Sequence, residues 1–152
     1  MKIHIVLDNI RSVFNVGSIF RSADGSGSVE KIYLCGMTSD IDNPKLEKTA
    51  LGAIDMVPSE HYDTTKEALE ELKERKVPIY SIELTADAEN FQKINYPEEI
   101  AIVLGHEKDG ISEEILGYTE KRVMVPMRGK KESLNVANCA TTVLYEITRE
   151  KE

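Results

Sequence analysis

The stretch VMVPMRGKKESLNVANCATTVLYE, residues 123–146, combines three features in succession. Its apolar start predicts a strand over 121–127, RGKK at 128–131 is the richest basic cluster, and a long apolar helix is predicted over 134–150. Ser133, Asn135 and Asn138 lie at the start of that helix. One such residue is expected as an ordinary helix cap. One cap suffices, so the pattern alone leaves one of the two polar residues beside Leu134 without an assigned role.

The composition predicts one globular domain, 1–152, because the chain is long enough to bury a core of its own. No apolar run is long enough for a membrane span, and the first residues resemble a strand rather than a signal peptide. Cys35 and Cys139 form no metal or redox motif, which favours the cytoplasm. The net charge of −8 argues against a general nucleic-acid coat but permits a local basic site.

Strand and helix patterns alternate along the chain. Strands are predicted at 2–8, 31–36, 78–84, 101–105 and 121–127, with a short one within 54–62. Helices are predicted at 15–27, 43–53, 64–76, 112–119 and 134–150, whereas 24–28 and 85–97 look irregular. This order predicts an α/β fold with a mainly parallel sheet flanked by helices. Ligands of such sheets bind beyond the carboxyl ends of strands, here 84–85, 105–107 and 126–128.

Several common sites are not supported by the pattern. No glycine fingerprint follows the first strand, and residues 105–112 have P-loop spacing but Ile111 at the lysine position. The three histidines are scattered and show no zinc-ligand spacing, so no metal is expected. A hydrolase triad of Ser133, His106 and Asp109 lacks a nucleophile elbow and is disfavoured.

Three stretches in order resemble the motifs of the SpoU family of RNA ribose methyltransferases, within the SPOUT superfamily. The first is NVGSIFRSA at 15–23, the second is IVLGHEKDGIS at 102–112, and the third is the stretch 123–146. The resemblance covers nearly the whole chain. It implies a deep C-terminal trefoil knot (the SPOUT fold), S-adenosylmethionine as cofactor, a homodimer, and methyl transfer to a ribose 2′-hydroxyl of tRNA or rRNA.

The resemblance also implies which residues form the site. The residues expected to be catalytic are Arg21, Asn15, Glu107, Ser133 and Asn135. The residues expected to hold the cofactor are Leu84, Leu104, Gly105, His106, Val125, Met127, Ser133 and Leu134. Gly105 and Gly129 fit positions where the backbone approaches a ligand closely.

Three predicted catalytic residues have alternative interpretations. Asn15 is also a candidate N-cap of its helix. By pattern alone, Arg21 would be an ordinary solvated charge. In the family, the corresponding arginine is proposed to activate the ribose hydroxyl. A guanidinium, however, binds an RNA phosphate more easily than it acts as a base. Glu107 is either a surface-loop residue or a group that orients Arg21 or contacts RNA across a dimer.

RNA recognition is expected from a few basic residues. The candidates are Arg11, Arg21, Arg128, Lys130 and Lys131. The chain starts at the first strand, so we expect no N-terminal RNA-binding extension, and an accessory RNA-binding protein is an alternative. tRNA is favoured over rRNA as the substrate.

The chain departs from the family pattern in two places, and two rival functions stay open. His106 stands where asparagine is common, and Phe14 stands where glycine is frequent. One rival is a knotted RNA- or cofactor-binding protein without catalysis. The other is a base methyltransferase of the same superfamily.

Overall fold

The computed structural model describes residues 1–149, so residue 150 of the predicted last helix and residues 151–152 of the predicted domain lie outside the described residues. The strands are β1 (Lys2–Asp8), β2 (Val29–Cys35), β3 (Ser59–Tyr62), β4 (Ile79–Ile82), β5 (Glu89–Asn90), β6 (Glu99–Gly105) and β7 (Lys121–Met124). The α-helices are α1 (Val13–Ser26), α2 (Pro44–Ala50), α3 (Thr65–Glu74), α4 (Glu113–Leu116) and α5 (Val136–Ile147).

The seven strands form one sheet in the order β3-β2-β1-β6-β4-β7-β5, and each neighbouring pair is parallel. The predicted α/β class with a mainly parallel sheet is therefore confirmed. The trefoil knot concerns the path of the chain through a loop, which strand order does not define, and it stays a prediction.

Side chains alternate along β1 and divide the core in two. Ile3, Ile5 and Leu7 face the layer of α1, α2 and α5, whereas Val6 faces α3 and α4. Both faces of the central strands are consequently apolar, as expected for a buried parallel sheet. None of the helices within residues 1–149 has the length and apolar character that a bilayer crossing requires.

The helix caps correct one sequence prediction. Ser12, not Asn15, is the N-cap of α1, and its hydroxyl accepts a hydrogen bond from the backbone N–H of Asn15 at 3.2 Å. Asn15 thus lies in the first turn of α1, with its side chain available for other contacts. Asn135 caps α5, accepting from the N–H groups of Ala137 and Asn138.

The segment 85–97 is more regular than its sequence indicates. It contains β5 and a single 3₁₀ turn, Phe91–Lys93. Two residues of strand show no alternation, so the pattern could not reveal β5. Both strands that flank the site, β4 and β6, end at the predicted carboxyl edge.

Candidate active site

A cavity of about 560 Å³ opens at the carboxyl edge of the sheet. It is bounded by the ends of β4 and β6, the loop after β6, the segment after β7, and the starts of α1 and α5. Its lining residues are Asn15, Ile82, Glu83, Leu84, Leu104, Gly105, His106, Glu107, Lys108, Asp109, Gly110, Ile111, Val125, Met127, Glu132, Ser133, Leu134, Asn135, Val136 and Cys139. Clefts of this size hold nucleoside-sized ligands.

All eight residues predicted to hold the cofactor line this cavity: Leu84, Leu104, Gly105, His106, Val125, Met127, Ser133 and Leu134. Leu84 and Leu134 are 46% and 38% exposed, although each is a large apolar side chain. Apolar surface left open inside a cavity suits a flat ring such as adenine, which it can cover on association. The walls therefore fit the adenosine part of S-adenosylmethionine, and the individual roles stay predictions.

A chain of hydrogen bonds joins the three motif stretches inside the cavity. The side-chain amide of Asn15 donates to the Glu107 carboxylate at 3.1 Å. The amide of Asn135 donates in turn to the Asn15 carbonyl oxygen at 3.1 Å. Because Asn135 also caps α5, the chain runs from the loop after β6, through α1, to the start of α5. Asn135 at the start of the last helix thus serves both as the cap and as part of the site.

Glu107 is held by the start of α1 as well as by Asn15. Its two carboxylate oxygens accept hydrogen bonds from the backbone N–H groups of Arg11 and Ser12, both at 3.0 Å. Burial alone would raise the pKa of Glu107, but the N–H groups of Ser12 and Arg11 and the amide of Asn15 together lower this pKa below its usual value. Glu107 therefore stays ionised and is a poor proton acceptor. Its carboxylate instead holds the start of α1 and the Asn15 side chain in place.

The stabilisation contributed by Glu107 should depend on pH. Its folded-state pKa is lower than the ordinary 4.5, so the contribution is present above that value and is lost as pH falls through the folded-state pKa. We expect the difference in melting temperature between the native protein and Glu107→Gln to shrink as pH is lowered from about 6 to about 3. A difference that stays constant over this range would contradict the assignment.

His106, which stands where asparagine is common in the family pattern, forms a local turn within its loop. Its Nδ1 accepts hydrogen bonds from the N–H groups of Lys108 and Asp109 at 3.1 and 3.0 Å. The carbonyl oxygen of an asparagine makes the same kind of local turn. Since backbone N–H groups can only donate, Nδ1 carries no proton, and its 3.6 Å approach to the Asp109 carboxylate is not an ion pair in this arrangement.

Gly105 is required by the packing of the loop that it begins. A side chain at this position would bring Cβ to 2.5 Å from Cγ1 of Ile111 and 2.8 Å from the carbonyl carbon of Gly110. Gly129 differs, because a Cβ there would meet no atom within 4 Å among the described residues. Other atoms of the protein thus lie close to the backbone at Gly105, whereas none of the described residues does so at Gly129.

Gly105→Ala should displace the loop and weaken cofactor binding. We expect the affinity for S-adenosylhomocysteine to fall about tenfold or more, since misplaced cavity walls lose their contacts with the ligand. Isothermal titration calorimetry measures this directly. Gly129→Ala is the matched control for folding and should melt at the native temperature. Native-like affinity in a folded Gly105→Ala protein would show that the loop tolerates the methyl group.

Arg21 does not join the other predicted catalytic residues within one chain. Its side chain is exposed on α1, and Arg21 is not among the residues that line the cavity. Six residues separate it from Asn15, which turns it to another side of the helix. Arg21 thus does not line the cavity of its own chain, and its place in the active site stays a prediction. Arg11, Arg128, Lys130 and Lys131 are also exposed, next in sequence to residues of the site.

One charged residue of the site lies outside the three motif stretches and was not predicted. Glu83 follows β4 and lines the cavity beside Leu84. A lone glutamate after a strand is common on protein surfaces, so its position could be found only from the fold.

Comparisons with known proteins identify the family. The model of the SpoU rRNA Methylase family matches residues 2–145. The tRNA (guanosine(18)-2′-O)-methyltransferase of Thermus thermophilus is 31% identical over 147 residues, which are 97% of this chain and 74% of that protein.

Two solved structures extend the comparison. The SpoU methyltransferase AviRb from Streptomyces viridochromogenes, determined in complex with the cofactor AdoMet, superposes with a TM-score of 0.89 at 25% identity, covering 97% of this chain and 60% of AviRb. A structure described as giving insights into 2-OH methylation of C/U34 on tRNA has a TM-score of 0.85 at 25% identity and covers 97% of this chain and 95% of that one. The family predicted from the three motifs is confirmed: the chain belongs to the SpoU rRNA methylase family.

Proposed function

We propose that this chain is an S-adenosylmethionine-dependent RNA methyltransferase that modifies a ribose 2′-hydroxyl. The observation that carries the proposal is the convergence of Asn15, Glu107 and Asn135, one from each motif, on a single cavity whose other walls fit adenosine. The names of the relatives, which describe 2′-O-methylation and a bound AdoMet, support the same activity.

The cofactor supplies an electrophilic methyl group, and the protein supplies position and electrostatics. Leu84 and Leu134 would contact the adenosine, and Gly105 would leave room for the backbone to pack close to it. Asn15 and Asn135 are fixed by their mutual hydrogen bond, so that both are preorganised at the mouth of the cavity. Ser133 is exposed at the same mouth, where its hydroxyl is available to an RNA nucleotide.

We assign RNA binding to the basic residues around the cavity mouth. Arg128, Lys130 and Lys131 lie between the lining residues Met127 and Glu132, and Arg11 adjoins the segment that holds Glu107. Their local positive charge contrasts with the net charge of −8 of the whole chain and suits contacts with phosphate. The tRNA-modifying relatives favour tRNA as the substrate. The reduced thiols of Cys35 and Cys139 fit a cytoplasmic location.

We further propose that the chain acts as a homodimer through the outer face of α1 and α5. Phe14 and Tyr145 are 73% and 51% exposed on these helices. Ser22 and Thr141 join the two helices by a 2.5 Å hydrogen bond, so the face is continuous. Arg21 lies seven residues after Phe14 and shares its side of α1. A second copy covering this face would bring Arg21 towards the partner's cavity.

The proposed homodimer can be tested by measuring the molar mass in solution. Light scattering should give twice the mass of one chain, and Phe14→Glu combined with Tyr145→Lys should shift the protein towards one chain, because charges replace apolar contacts at the core of the interface. Circular dichroism controls for folding. A native protein with the mass of one chain would contradict the homodimer and leave recognition by an accessory RNA-binding protein as the alternative.

Two measurements test the activity. Calorimetry with S-adenosylhomocysteine should show one site per chain. Methyl transfer to tRNA and to rRNA, followed by digestion to nucleosides, should yield 2′-O-methyl nucleosides from one of these RNAs. Methylated bases instead would support the base-methyltransferase rival. Cofactor binding without transfer to either RNA would support the non-catalytic rival.

A further inference from the structure

Glu83 connects the end of β4 to the loop that follows β6. Its Oε1 accepts a hydrogen bond from the backbone N–H of Ile111 at 3.1 Å. The carboxylate packs directly against Gly110, where a side chain would have no room. Gly110 has φ of +70°, so both its conformation and this contact favour glycine.

The loop between Gly105 and Ile111 is held at both of its ends. It is folded back by a bridge between His106 and Gly110, in which the Gly110 N–H donates to the His106 carbonyl oxygen at 2.9 Å. Glu107, near its start, is tied to the beginning of α1. Ile111, at its end, is tied to Glu83. The loop thus connects the start of α1 with the end of β4, and both contribute residues to the cavity lining.

We propose that Glu83 is a positioning residue: it fixes the loop 105–111 so that Gly105 and His106 form the cofactor wall and Glu107 meets Asn15. The carboxylate holds the loop by accepting the hydrogen bond from the Ile111 N–H, and this contact requires an acceptor oxygen but no negative charge. Without it the Ile111 N–H loses its partner, and the end of the loop keeps the apolar packing of Ile111 but no hydrogen bond to the segment after β4. The ligand readout below rests on the proposed function, whereas the exchange readout does not.

Three substitutions separate the acceptor from the charge. Glu83→Gln keeps a carbonyl oxygen for Ile111 and removes the charge, and Glu83→Ala removes both. Glu47→Ala is the matched control, because Glu47 also accepts from a loop N–H, that of Gly52, but lies at α2 away from the cavity. All four proteins, including the native one, are first compared by melting temperature.

Hydrogen–deuterium exchange reports the loop directly. The Ile111 amide should be protected in the native protein, Glu83→Gln and Glu47→Ala, and should exchange at least about tenfold faster in Glu83→Ala. Affinity for S-adenosylhomocysteine should follow the same order, falling about tenfold in Glu83→Ala alone. Rescue by glutamine is the result that a role of the negative charge would not give, and faster exchange confined to the loop is the result that a general loss of stability would not give.

Two outcomes would overturn the proposal. If Ile111 stays protected in Glu83→Ala, the hydrogen bond does not hold the loop. If Glu83→Gln loses affinity as strongly as Glu83→Ala while Ile111 stays protected, the carboxylate acts on the ligand itself. Failure of the native protein to bind S-adenosylhomocysteine would instead count against the proposed function, and the exchange result would still decide the role of Glu83.

Discussion

Arg21→Ala is expected to slow methyl transfer to RNA by about a hundredfold or more while leaving the affinity for S-adenosylhomocysteine within about twofold of native. The two effects separate because Arg21 is exposed on α1 and does not line the cavity of its own chain. Its guanidinium stays protonated and is suited to hold a phosphate through two parallel hydrogen bonds. Arg21→Lys should recover little, since an ammonium lacks that planar fork.

A mixing experiment tests whether Arg21 serves the partner's site. Arg21→Ala and Asn135→Ala subunits, each nearly inactive alone, are combined so that mixed dimers form. If Arg21 acts across the interface, one site of each mixed dimer has both native residues, and activity returns. If Arg21 acts within its own chain, both sites stay defective. Native turnover in Arg21→Ala alone would remove Arg21 from the mechanism altogether.

Asn135→Ala is expected to have the second large effect, because Asn135 has two functions. Its side-chain oxygen caps α5, so its loss should cost about 1 kcal/mol of unfolding free energy. Its amide holds Asn15, and breaking that link should lower turnover by about two orders of magnitude. Denaturant unfolding and steady-state transfer assays measure the two losses separately.

Asn135→Asp distinguishes the two functions of Asn135. Aspartate keeps the oxygen that accepts from Ala137 and Asn138, so stability should stay near native or rise at the helix N-terminus. It places a carboxylate opposite the Asn15 carbonyl oxygen and loses the donor, so turnover should remain low. Recovery of turnover in Asn135→Asp would assign the effect of Asn135→Ala to the cap alone.

Strong periodicity made most elements predictable from the sequence. In β1, Ile5 and Val6 face the two opposite apolar layers. In α3, Ala68, Leu69 and Leu72 follow helical spacing. Both patterns involve residues close together in sequence, so they can be recognised without the fold. The sequence places the start of α1 two residues late, because Asn15 matches a cap by residue type alone. In the structure Ser12 is the cap, and the Asn15 side chain bonds to Glu107, which is distant in sequence. β5 is too short to show a period.

The site was predictable only where a motif carried it. Backbone-lined positions such as Gly105 and Leu134 follow the family pattern, and all of the predicted cofactor residues reach the cavity. Arg21 shares a motif with Asn15, but six positions along one helix turn it to another side, so membership of a motif does not by itself place a side chain in the cavity. Glu83 acts through one backbone N–H of a loop from another strand, so no local pattern marks it.

The position of β1 in the sheet also determines when the chain can fold on the ribosome. β1 is a central strand whose partner on one side, β6, is paired from Lys2↔Glu99 to Asp8↔Gly105. At usual rates of synthesis, β6 emerges roughly 5–20 s after β1. During that interval the apolar strand IHIVL has β2 on one edge and nothing on the other, which exposes it to aggregation. Assembly of the sheet centre must therefore be late and slow, as expected when the decisive contacts are distant in sequence.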